Sequence, residues 1–362
     1  MFPLDYSHIL NKNHKIHKTI NSINRKFDTE KYWINYNFED NSPTNTHTFA
    51  GGDGSFNKIN YVDFCLYSVG TVSYINKVGE KIEKSVSYWD TDIIIPYIYI
   101  SNRLTLYMLN MELKSALWNF KNKDIDYYLL DGSLYSLIIK THTYMGREEG
   151  SNEILYYYKK YGKEIRNKIN EELDNGILAP TVSIDVKESE EDRIYHKIIL
   201  EQIEYIVLLI EILKKYRDKI VGISKTSKMN IYFKEGYIPD MAIFSRVKTL
   251  GYSKPLNLAD WKMVEINQGV YNNIKYLKKF GQDIDELYYQ FVKLDRGEGV
   301  LNITSFKNLE SEFFSNLNEI SVGNYPYILK KSHEEVKIKD NDMTHCAKLL
   351  GLYSSRDREL FI

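Results

Sequence analysis

The sequence has little cysteine, almost no net charge and no apolar run of bilayer length, and each absence excludes a class of protein. Its two cysteines, Cys65 and Cys346, are too few for a disulfide framework or a thiolate-rich structural zinc site. Its 48 basic and 49 acidic residues nearly cancel, so a surface for nucleic acid must be a local patch. The longest apolar stretches, 93–100 and 205–210, are far shorter than a membrane span. We therefore expect a globular, cytoplasmic protein without a membrane partner.

Two further absences concern targeting and nucleotide hydrolysis. The N-terminus has no apolar run behind a basic start, so we expect no secretion signal. No Gly-x4-Gly-Lys-Ser/Thr sequence occurs, so a separate motor would have to hydrolyse ATP. What the chain does have is 362 residues, 43% of them hydrophobic, which is enough for a sizeable core in one large or two smaller domains.

Residues 1–45 differ in pattern from the rest. The isolated apolar residues Ile16, Ile20, Ile23 and Phe27 predict a short amphipathic helix, and a loop follows, so we interpret 1–45 as an N-terminal helical extension. From Thr46 onward the spacing of the apolar residues becomes that of strands. The predicted strands are 46–50, 59–69 and 70–78, with a turn at 76–79.

The remainder of 46–362 mixes helices and strands and predicts an α/β domain. A connection through Trp89 and 93–100 leads to a helix at 102–120, which Ser101 or Asn102 is expected to cap. Two long helices, 153–173 and 192–216, suggest a helical insertion at about 150–217. The other predicted elements are the strands 127–130, 219–223, 288–294 and 299–303, and the helices 308–320 and 325–336.

The sequence Asp-Gly-Ser occurs twice beside apolar segments, at Asp53 and at Asp131. Alone, Asp-Gly-Ser is more often a turn than a ligand site, because Asp caps local amides and Gly accepts positive φ. An ionised carboxylate is costly to desolvate unless it is paired or binds a cation. Two such sites after strands of one fold therefore suggest a shared cation. Gly54 and Gly132 would leave room beside it, and Ser55 and Ser133 would brace the turns.

Glu112 lies within the predicted helix among apolar and small neighbours. Its i±3 and i±4 positions hold no basic residue, so its partner must come from another element. A solvated helix glutamate is the plain alternative. The position of Glu112 between the two Asp-Gly-Ser sites favours a shared role.

The order of elements predicts how these acids meet. Three strands, a helix with Glu112, a strand with Asp131, a strand ending near Lys225 and a late helix with His333 follow the ribonuclease H-like order. In that architecture the first and fourth strands bring their carboxylates together beneath the first helix. Such a cluster suits phosphodiester hydrolysis, in which two divalent metals about 3.5–4 Å apart stabilise the attacking and leaving oxygens. Oxygen ligands favour Mg²⁺ or Mn²⁺.

The chain resembles the archaeal NurA nucleases from about residue 46 to its C-terminus. The resemblance depends on an ordered set of residues rather than on any single motif. The set comprises Asp53-Gly54-Ser55, Glu112, Leu130-Asp131-Gly132-Ser133-Leu134, Gly222-Ile223-Ser224-Lys225, Phe291-Val292-Lys293-Leu294, and Tyr325-Pro326 leading to His333.

The resemblance implies that Asp53, Glu112, Asp131 and His333 hold the metal, with Lys225 close by. It also implies 5′-to-3′ exonuclease and single-strand endonuclease activity in DNA end resection and repair. The expected partners are DNA, a HerA-type hexameric translocase and a second copy of the chain in a homodimer.

The chain departs from the family pattern at two places. Ser332 replaces the alanine that commonly precedes the late histidine, and the Gly51-Gly52 pair replaces a more apolar approach to Asp53. His345 competes with His333 for the histidine role. The Tyr-Pro spacing favours His333, although either histidine would supply an imidazole.

Two other functions fit parts of the pattern. An actin-like ATP-binding phosphotransferase would use the Asp-Gly-Ser turns for phosphates and would need a late adenosine loop, for which 297–299 is the nearest candidate. An inactive scaffold for the translocase would retain the fold without the chemistry. The retained acidic residues and histidine argue against the scaffold.

Overall fold

A mixed sheet, ten-stranded within the described part of the chain, lies between helices on both of its faces. The computed structural model describes residues 12–18, 27–38, 40–95, 98–141, 148–182, 184, 190–234, 238–260, 268–297 and 299–352. Its strands are β1 (Trp33–Asn35), β2 (Thr48–Asn60), β3 (Cys65–Lys77), β4 (Glu83–Ile94), β5 (Tyr127–Asp131), β6 (Ile220–Ser224), β7 (Gly251–Ser253), β8 (Leu256–Asn257), β9 (Tyr288–Lys293) and β10 (Leu301–Ser305). Their order across the sheet is β1-β7-β9-β10-β6-β5-β2-β3-β4, and β8 pairs with β9.

The helices and a small second sheet complete the fold. The helices are α1 (12–18), α2 (Ile100–Asn122), α3 (Leu134–Lys140), α4 (Glu148–Asp174), α5 (Glu190–Lys215), α6 (Asp240–Phe244), α7 (Gln268–Tyr276), α8 (Ser311–Glu319), α9 (Tyr327–Val336) and α10 (Asp340–Leu349). Strands β11 (Ser321–Val322) and β12 (Tyr325–Pro326) form the small sheet. Within the described ranges, no helix is both long and apolar enough to cross a bilayer.

Three long antiparallel strands form one half of the sheet. The prediction of separate strands at 59–69 and 70–78 was wrong, because β2 runs through Asn60 and β3 starts at Cys65. The chain turns between them at Val62 and Asp63, where the Tyr61 N–H donates to the Phe64 carbonyl. Val62 is apolar yet 75% exposed, so hydrophobicity did not mark the turn. The predicted connection through Trp89 is instead strand β4, which pairs with β3.

The other half of the sheet is joined to β2 by parallel strands. β5 pairs in parallel with β2 and β6 pairs in parallel with β5. β1 lies at the far edge and pairs with β7, so part of the predicted N-terminal extension belongs to the sheet. Ile20 and Ile23 of the predicted N-terminal helix lie outside the described residues.

Helix α2 lies between the sheet and two other helices. It packs on β2 and β3, and α4 and α5 of the predicted insertion pack against it. The side chain of Arg103 pairs with Glu201 at 2.7 Å and that of Lys114 pairs with Glu204 at 2.8 Å, all of them buried. Breaking a buried pair leaves an uncompensated charge and costs about 3–5 kcal/mol, so these pairs hold α2 in one position. The predicted cap at Ser101 or Asn102 was wrong, since α2 begins at Ile100.

The opposite face of the sheet is covered by α8 and α9. Odd-numbered residues of β2 such as Phe49 face this side, while even-numbered residues such as Ala50 face α2. Ile328 and Leu329 of α9 pack directly above Gly51. The two faces of β2 therefore meet two different helices, and each helix delivers one candidate site residue.

Candidate metal centre

The pairing of β2 with β5 brings Asp53 and Asp131 together. Gly52 pairs with Leu130 in the parallel register, so the aspartates are the next residues on adjacent strands. Asp131 ends β5, but Asp53 lies in the middle of β2, opposite Val72 of β3. The expectation of a turn at Asp53-Gly54-Ser55 was therefore wrong. Both aspartates occupy odd positions on the face that α9 covers.

His333 approaches the aspartates from α9. Its Nδ1 lies 2.7 Å from Asp53 Oδ2, and the imidazole is 57% exposed. One ligand atom from each of Asp53, Asp131 and His333 lies within 4.8 Å of the others. His345 lies on α10, exposed, and does not belong to this group. Donation from Nδ1–H to Asp53 would fix the ring tautomer and leave Nε2 for a ligand or a proton.

Glu112 reaches the same region from the opposite face of the sheet. Its carboxylate lies above Gly54, whose N–H donates to Asp53 Oδ1 at 2.9 Å. Glu112 stays outside the group of three that shares the 4.8 Å distance. We call Asp53, Glu112, Asp131 and His333 together the acidic cluster.

The two glycines of the repeated motif have different surroundings. A β-carbon at Gly54 would lie 2.6 Å from Glu112 Oε1 and 2.7 Å from Met108 Cγ, so Gly54 makes room for the glutamate rather than for a ligand. Gly132 has a φ of 152° and open space where a side chain would be. Ser133 caps α3 by accepting from the Tyr135 N–H, and Ser55 Oγ accepts from the Ile338 N–H.

The contact at Gly54 predicts the effect of adding one methyl group. We expect Gly54→Ala to lower the free energy of unfolding by about 1–3 kcal/mol, because α2 is held by buried ion pairs and yields little. Gly162→Ala is the matched control: on α4 its β-carbon meets nothing closer than 3.5 Å, so alanine should stabilise by about 0.5–1 kcal/mol. Urea unfolding measures both, and equal effects would contradict the close contact.

Burial and mutual repulsion raise the pKa of two carboxyls of the cluster. At Asp53 burial is the largest cause of the raised pKa, the hydrogen bond with His333 opposes it, and the charge of Asp131 adds to it. Burial also raises the pKa of Glu112 well above its usual range, and the charges of Asp53 and Asp131 add to this. Carboxylates that destabilise one another's charge form a site that a cation would stabilise.

The donor set fits a hard divalent cation. The carboxylates of Asp53 and Asp131 and the imidazole of His333 converge, the Glu112 carboxylate lies beside them, and no thiolate is among them. Carboxylate oxygens suit Mg²⁺ and Mn²⁺, whereas thiolates are typical of structural zinc. The residues present therefore fit such an ion.

Lys225 and Tyr325 border the cluster. Lys225 Nζ lies 3.5 Å from Asp131 Oδ2 and 3.9 Å from the centroid of the Tyr325 ring. The Tyr325 hydroxyl is buried beside Asp131, and burial together with the Asp131 charge raises its pKa. The sequence singled out Tyr325 only as a marker of spacing. Its position just before the helix that carries His333 was the available signal.

The actin-like alternative requires an adenosine loop, for which residues 297–299 are the candidate. Its middle residue, Glu298, lies outside the described residues. Gly297 N–H donates to Asp295 Oδ1 at 2.8 Å, and the Gly299 carbonyl accepts from Asn324 at 2.8 Å. The first contact is local, and the second joins the segment to the turn between β11 and β12.

The sequence profile of the NurA domain family matches residues 47–338, which is most of the chain. The chain belongs to the NurA family. A Methanocaldococcus jannaschii protein named "Probable DNA double-strand break repair nuclease NurA" is 42% identical over 345 residues, covering 92% of this chain and 85% of the relative. A Sulfolobus acidocaldarius protein named "DNA double-strand break repair nuclease NurA" is 26% identical, covering 72% and 68%.

Solved NurA structures share the fold of this NurA-family chain. The NurA nuclease from Sulfolobus solfataricus superimposes with a TM-score of 0.69 at 20% identity, covering 97% of each chain. A NurA bound to dAMP and manganese superimposes with a TM-score of 0.58 at 15% identity, covering 97% of this chain and 95% of that one. The large mixed sheet flanked by helices is therefore the NurA fold.

Proposed function

We propose that this NurA-family protein is a metal-dependent DNA nuclease that hydrolyses phosphodiester bonds. The observation that supports this most is the convergence of Asp53, Asp131 and His333 within 4.8 Å, with Glu112 beside them. The names of the relatives agree with this function, since they are called DNA double-strand break repair nucleases. The strand order, with β5 and β6 in parallel beside the β2–β4 meander, supports a ribonuclease H-like description.

We infer that the acidic cluster holds Mn²⁺ or Mg²⁺. The crystal structure of a NurA with manganese supports the first of these ions. When bound, two such ions would supply Lewis-acid stabilisation of the charge that develops during phosphodiester hydrolysis. The three carboxylates of the cluster would provide the oxygen ligands, with the His333 imidazole as the fourth donor.

Lys225 and Tyr325 would act on the substrate. The Lys225 ammonium, held between Asp131 and the Tyr325 ring, is placed to neutralise a phosphate oxygen. The Tyr325 hydroxyl stays protonated at neutral pH and would donate to an incoming oxygen. With Nδ1 of His333 as the donor to the ion, its Nε2 would hold or deliver a proton on the leaving side.

The direct test is DNA degradation with both ends labelled. With Mn²⁺, we expect 5′-labelled and 3′-labelled strands to shorten in the pattern of 5′-to-3′ exonuclease action, with single-strand endonuclease cuts. EDTA should abolish the degradation. Intact DNA in the presence of Mn²⁺ would contradict the proposed function and would favour an inactive scaffold.

The histidine assignment has its own test. We expect His333→Ala to lower the rate by about 10²-fold or more, because it removes a proton carrier and an imidazole donor. His345→Ala should leave the rate within about twofold, because His345 is exposed on α10 away from the cluster. Initial rates on one labelled strand measure both variants, and the reverse order would assign the role to His345.

We also propose that the protein works in DNA end resection with a HerA-type hexameric translocase, and that it does so as a homodimer. The missing Walker sequence supports the need for a separate motor. Light scattering of the purified chain measures the dimer, and co-elution with the translocase measures the partnership. A monomer, or two separate elution peaks, would contradict the respective proposal.

A further inference from the structure

Glu335 lies on the same helix as His333 but on the opposite flank. The buried face of α9, which includes Ser332, packs on the sheet. Successive residues of an α-helix are about 100° apart, so the side chains at 333 and 335 leave α9 about 200° apart. His333 reaches Asp53 of β2, whereas Glu335 reaches β3 and β4.

The Glu335 carboxylate accepts from two donors on different strands. One oxygen accepts from the Tyr74 hydroxyl of β3, and the other accepts from the Lys84 ammonium of β4. Burial, together with the hydrogen bond and charge of Glu335, raises the pKa of Tyr74 to about 12, so the hydroxyl keeps its proton at neutral pH. One helical turn before Glu335, the Nζ of Lys331 lies 5.0 Å from the centroid of the Tyr74 ring. This flank of α9 is therefore tied to both strands.

The side chain of Lys84 is held in place on β4. Its Nζ lies 5.5 Å from the centroid of the Trp89 ring, and a cation over an aromatic face is attracted to it. Trp89 lies across Gly70 of β3, where a β-carbon would overlap the ring. The Lys84 ammonium therefore has fewer positions available than that of a free surface lysine.

The place of the His333 imidazole depends on how α9 is rotated about its axis. The ring is 57% exposed, so packing fixes it weakly. The strand β12 precedes α9, and after the helix the Ile338 N–H donates to Ser55 Oγ at 3.3 Å. These contacts hold the ends of α9, but apolar packing is non-directional and specifies rotation less sharply than a hydrogen bond does. A rotation of about 10° would move an atom about 6 Å from the axis by about 1 Å, and a displacement of about 1 Å can cost about 10²-fold in rate.

We propose that Glu335 is a positioning residue, which fixes the rotation of α9 through Tyr74 and Lys84 and so holds the His333 imidazole at Asp53. The proposal rests on the proposed nuclease function, in which His333 holds or delivers a proton on the leaving side. Glu335 points away from Asp53, so we assign it no contact with the substrate. Because its pair with Lys84 is partly exposed, the pair contributes little to stability, and its loss should change activity more than folding.

Alanine at two adjacent positions of α9 separates positioning from the loss of a surface charge. We expect Glu335→Ala to lower kcat for DNA by about tenfold while KM stays within about twofold, because DNA binding is kept and the catalytic geometry is not. Glu334→Ala is the matched control: it removes the same charge from the exposed position next to His333, and its kcat should stay within about twofold. The melting temperatures of both variants should lie within about 2 °C of wild type.

A substrate with a good leaving group shows whether the loss acts through His333. p-Nitrophenolate is a weak base that leaves without a proton, so bis(p-nitrophenyl) phosphate does not need the proton from His333. At saturating Mn²⁺ we expect Glu335→Ala to hydrolyse this ester within about twofold of wild type, so the ratio of DNA cleavage to ester hydrolysis falls by about tenfold. Tyr74→Phe combined with Lys84→Met removes both donors and should lower the ratio equally. Adding Glu335→Ala to that pair should lower the ratio no further.

The displacement itself is measured without metal and without substrate. In crystals of the metal-free Glu335→Ala protein, we expect the separation of His333 Nδ1 and Asp53 Oδ2 to exceed that in wild-type crystals by about 1 Å or more. Crystals of the Glu334→Ala protein should show the wild-type separation.

The results that contradict the two proposals differ. An unchanged separation of the two atoms in Glu335→Ala, an unchanged kcat, or an equal fall in DNA cleavage and ester hydrolysis would overturn the positioning role. A raised KM at unchanged kcat would also overturn it and would place the pair of Glu335 and Lys84 in DNA binding. Wild-type protein that hydrolyses neither DNA nor the ester with Mn²⁺ would instead overturn the proposed function.

Discussion

Asp131→Asn should lower the rate of DNA hydrolysis by about 10³-fold or more, because a metal ligand contributes several kcal/mol of charge stabilisation and each 1.4 kcal/mol is tenfold in rate. Asp131 ends β5, where it is adjacent to Asp53 and pairs with Lys225. The amide is isosteric, so the fold should persist while one negative ligand is lost. Single-turnover rates with Mn²⁺ on a labelled strand measure the effect.

The matched control for this variant is Asp124→Asn. Asp124 is an exposed aspartate in the segment before β5, away from the cluster. We expect its rate to stay within about twofold of wild type, since surface substitutions of this kind change little. If Asp131→Asn cut DNA as fast as Asp124→Asn while circular dichroism showed both to be folded, the metal role of Asp131 would be excluded.

Glu112→Gln should raise the stability of the metal-free protein and reduce the additional stability that the protein gains when metal is added. The pKa of Glu112 is raised in the fold by burial and by Asp53 and Asp131, so its ionised form opposes folding. Glutamine keeps the size and shape of the side chain above Gly54 and removes the charge. We expect the melting temperature in EDTA at neutral pH to rise by about 2 °C or more.

The pH dependence of this gain has a definite sign. Below the unfolded-state pKa of about 4.3 glutamate is protonated in both states, so the variant should gain nothing there. As the pH rises toward and through the raised folded-state pKa, the wild type progressively loses stability and the variant does not. The difference in melting temperature should therefore grow from pH 4 upward, and a constant difference would contradict the cause assigned to it.

Metal addition should narrow the difference in melting temperature between the two proteins. A ligand at about 100 times its Kd stabilises a protein by about 2.7 kcal/mol, or roughly 4 °C for a chain of this size. We expect Mn²⁺ to give the wild type such a rise and Glu112→Gln less than half of it. Asp124→Asn should respond as the wild type does. An equal response of all three proteins would remove Glu112 from the metal site.

The largest gain in stability and the largest losses in activity are thus expected from residues of the same acidic cluster. A cluster of this kind is costly to fold, because burial and the neighbouring charges raise the pKa of Asp53 and of Glu112. Such a destabilising cluster persists in a protein where it binds a cation, because function is then gained at the expense of stability. The buried pairs of Arg103 and Lys114 hold α2 and with it Glu112 against this repulsion.

Local pattern in the sequence was sufficient for the order of elements and for several of their bounds. Helices predicted at 153–173 and 192–216 correspond to Glu148–Asp174 and Glu190–Lys215, because long apolar periodicity is a strong signal. The strand before Asp131 was predicted at 127–130 and observed as Tyr127–Asp131. Family membership followed from an ordered set of short motifs.

Other features depended on contacts between residues far apart in the chain. The turn at the exposed Val62 carries no local signal, because an apolar residue is not typical of a turn. The β1–β7 pairing carries none either, because a strand of three residues is too short to show a pattern. Tyr325 borders the cluster through its contact with Lys225, which belongs to a distant part of the chain.

The sequence by itself determined which acids and which histidine were candidates, since residue type and element order are local properties. Only the tertiary structure decided how they meet. The parallel register of β2 and β5 aligned Asp53 with Asp131, and the alternation of the pleat put both on the α9 face with His333. Glu112 arrives from the α2 face, where Gly54 leaves it room. The register of the strands, and the face of the sheet on which each side chain lies, arise from pairing across the sheet, which no local stretch of sequence specifies.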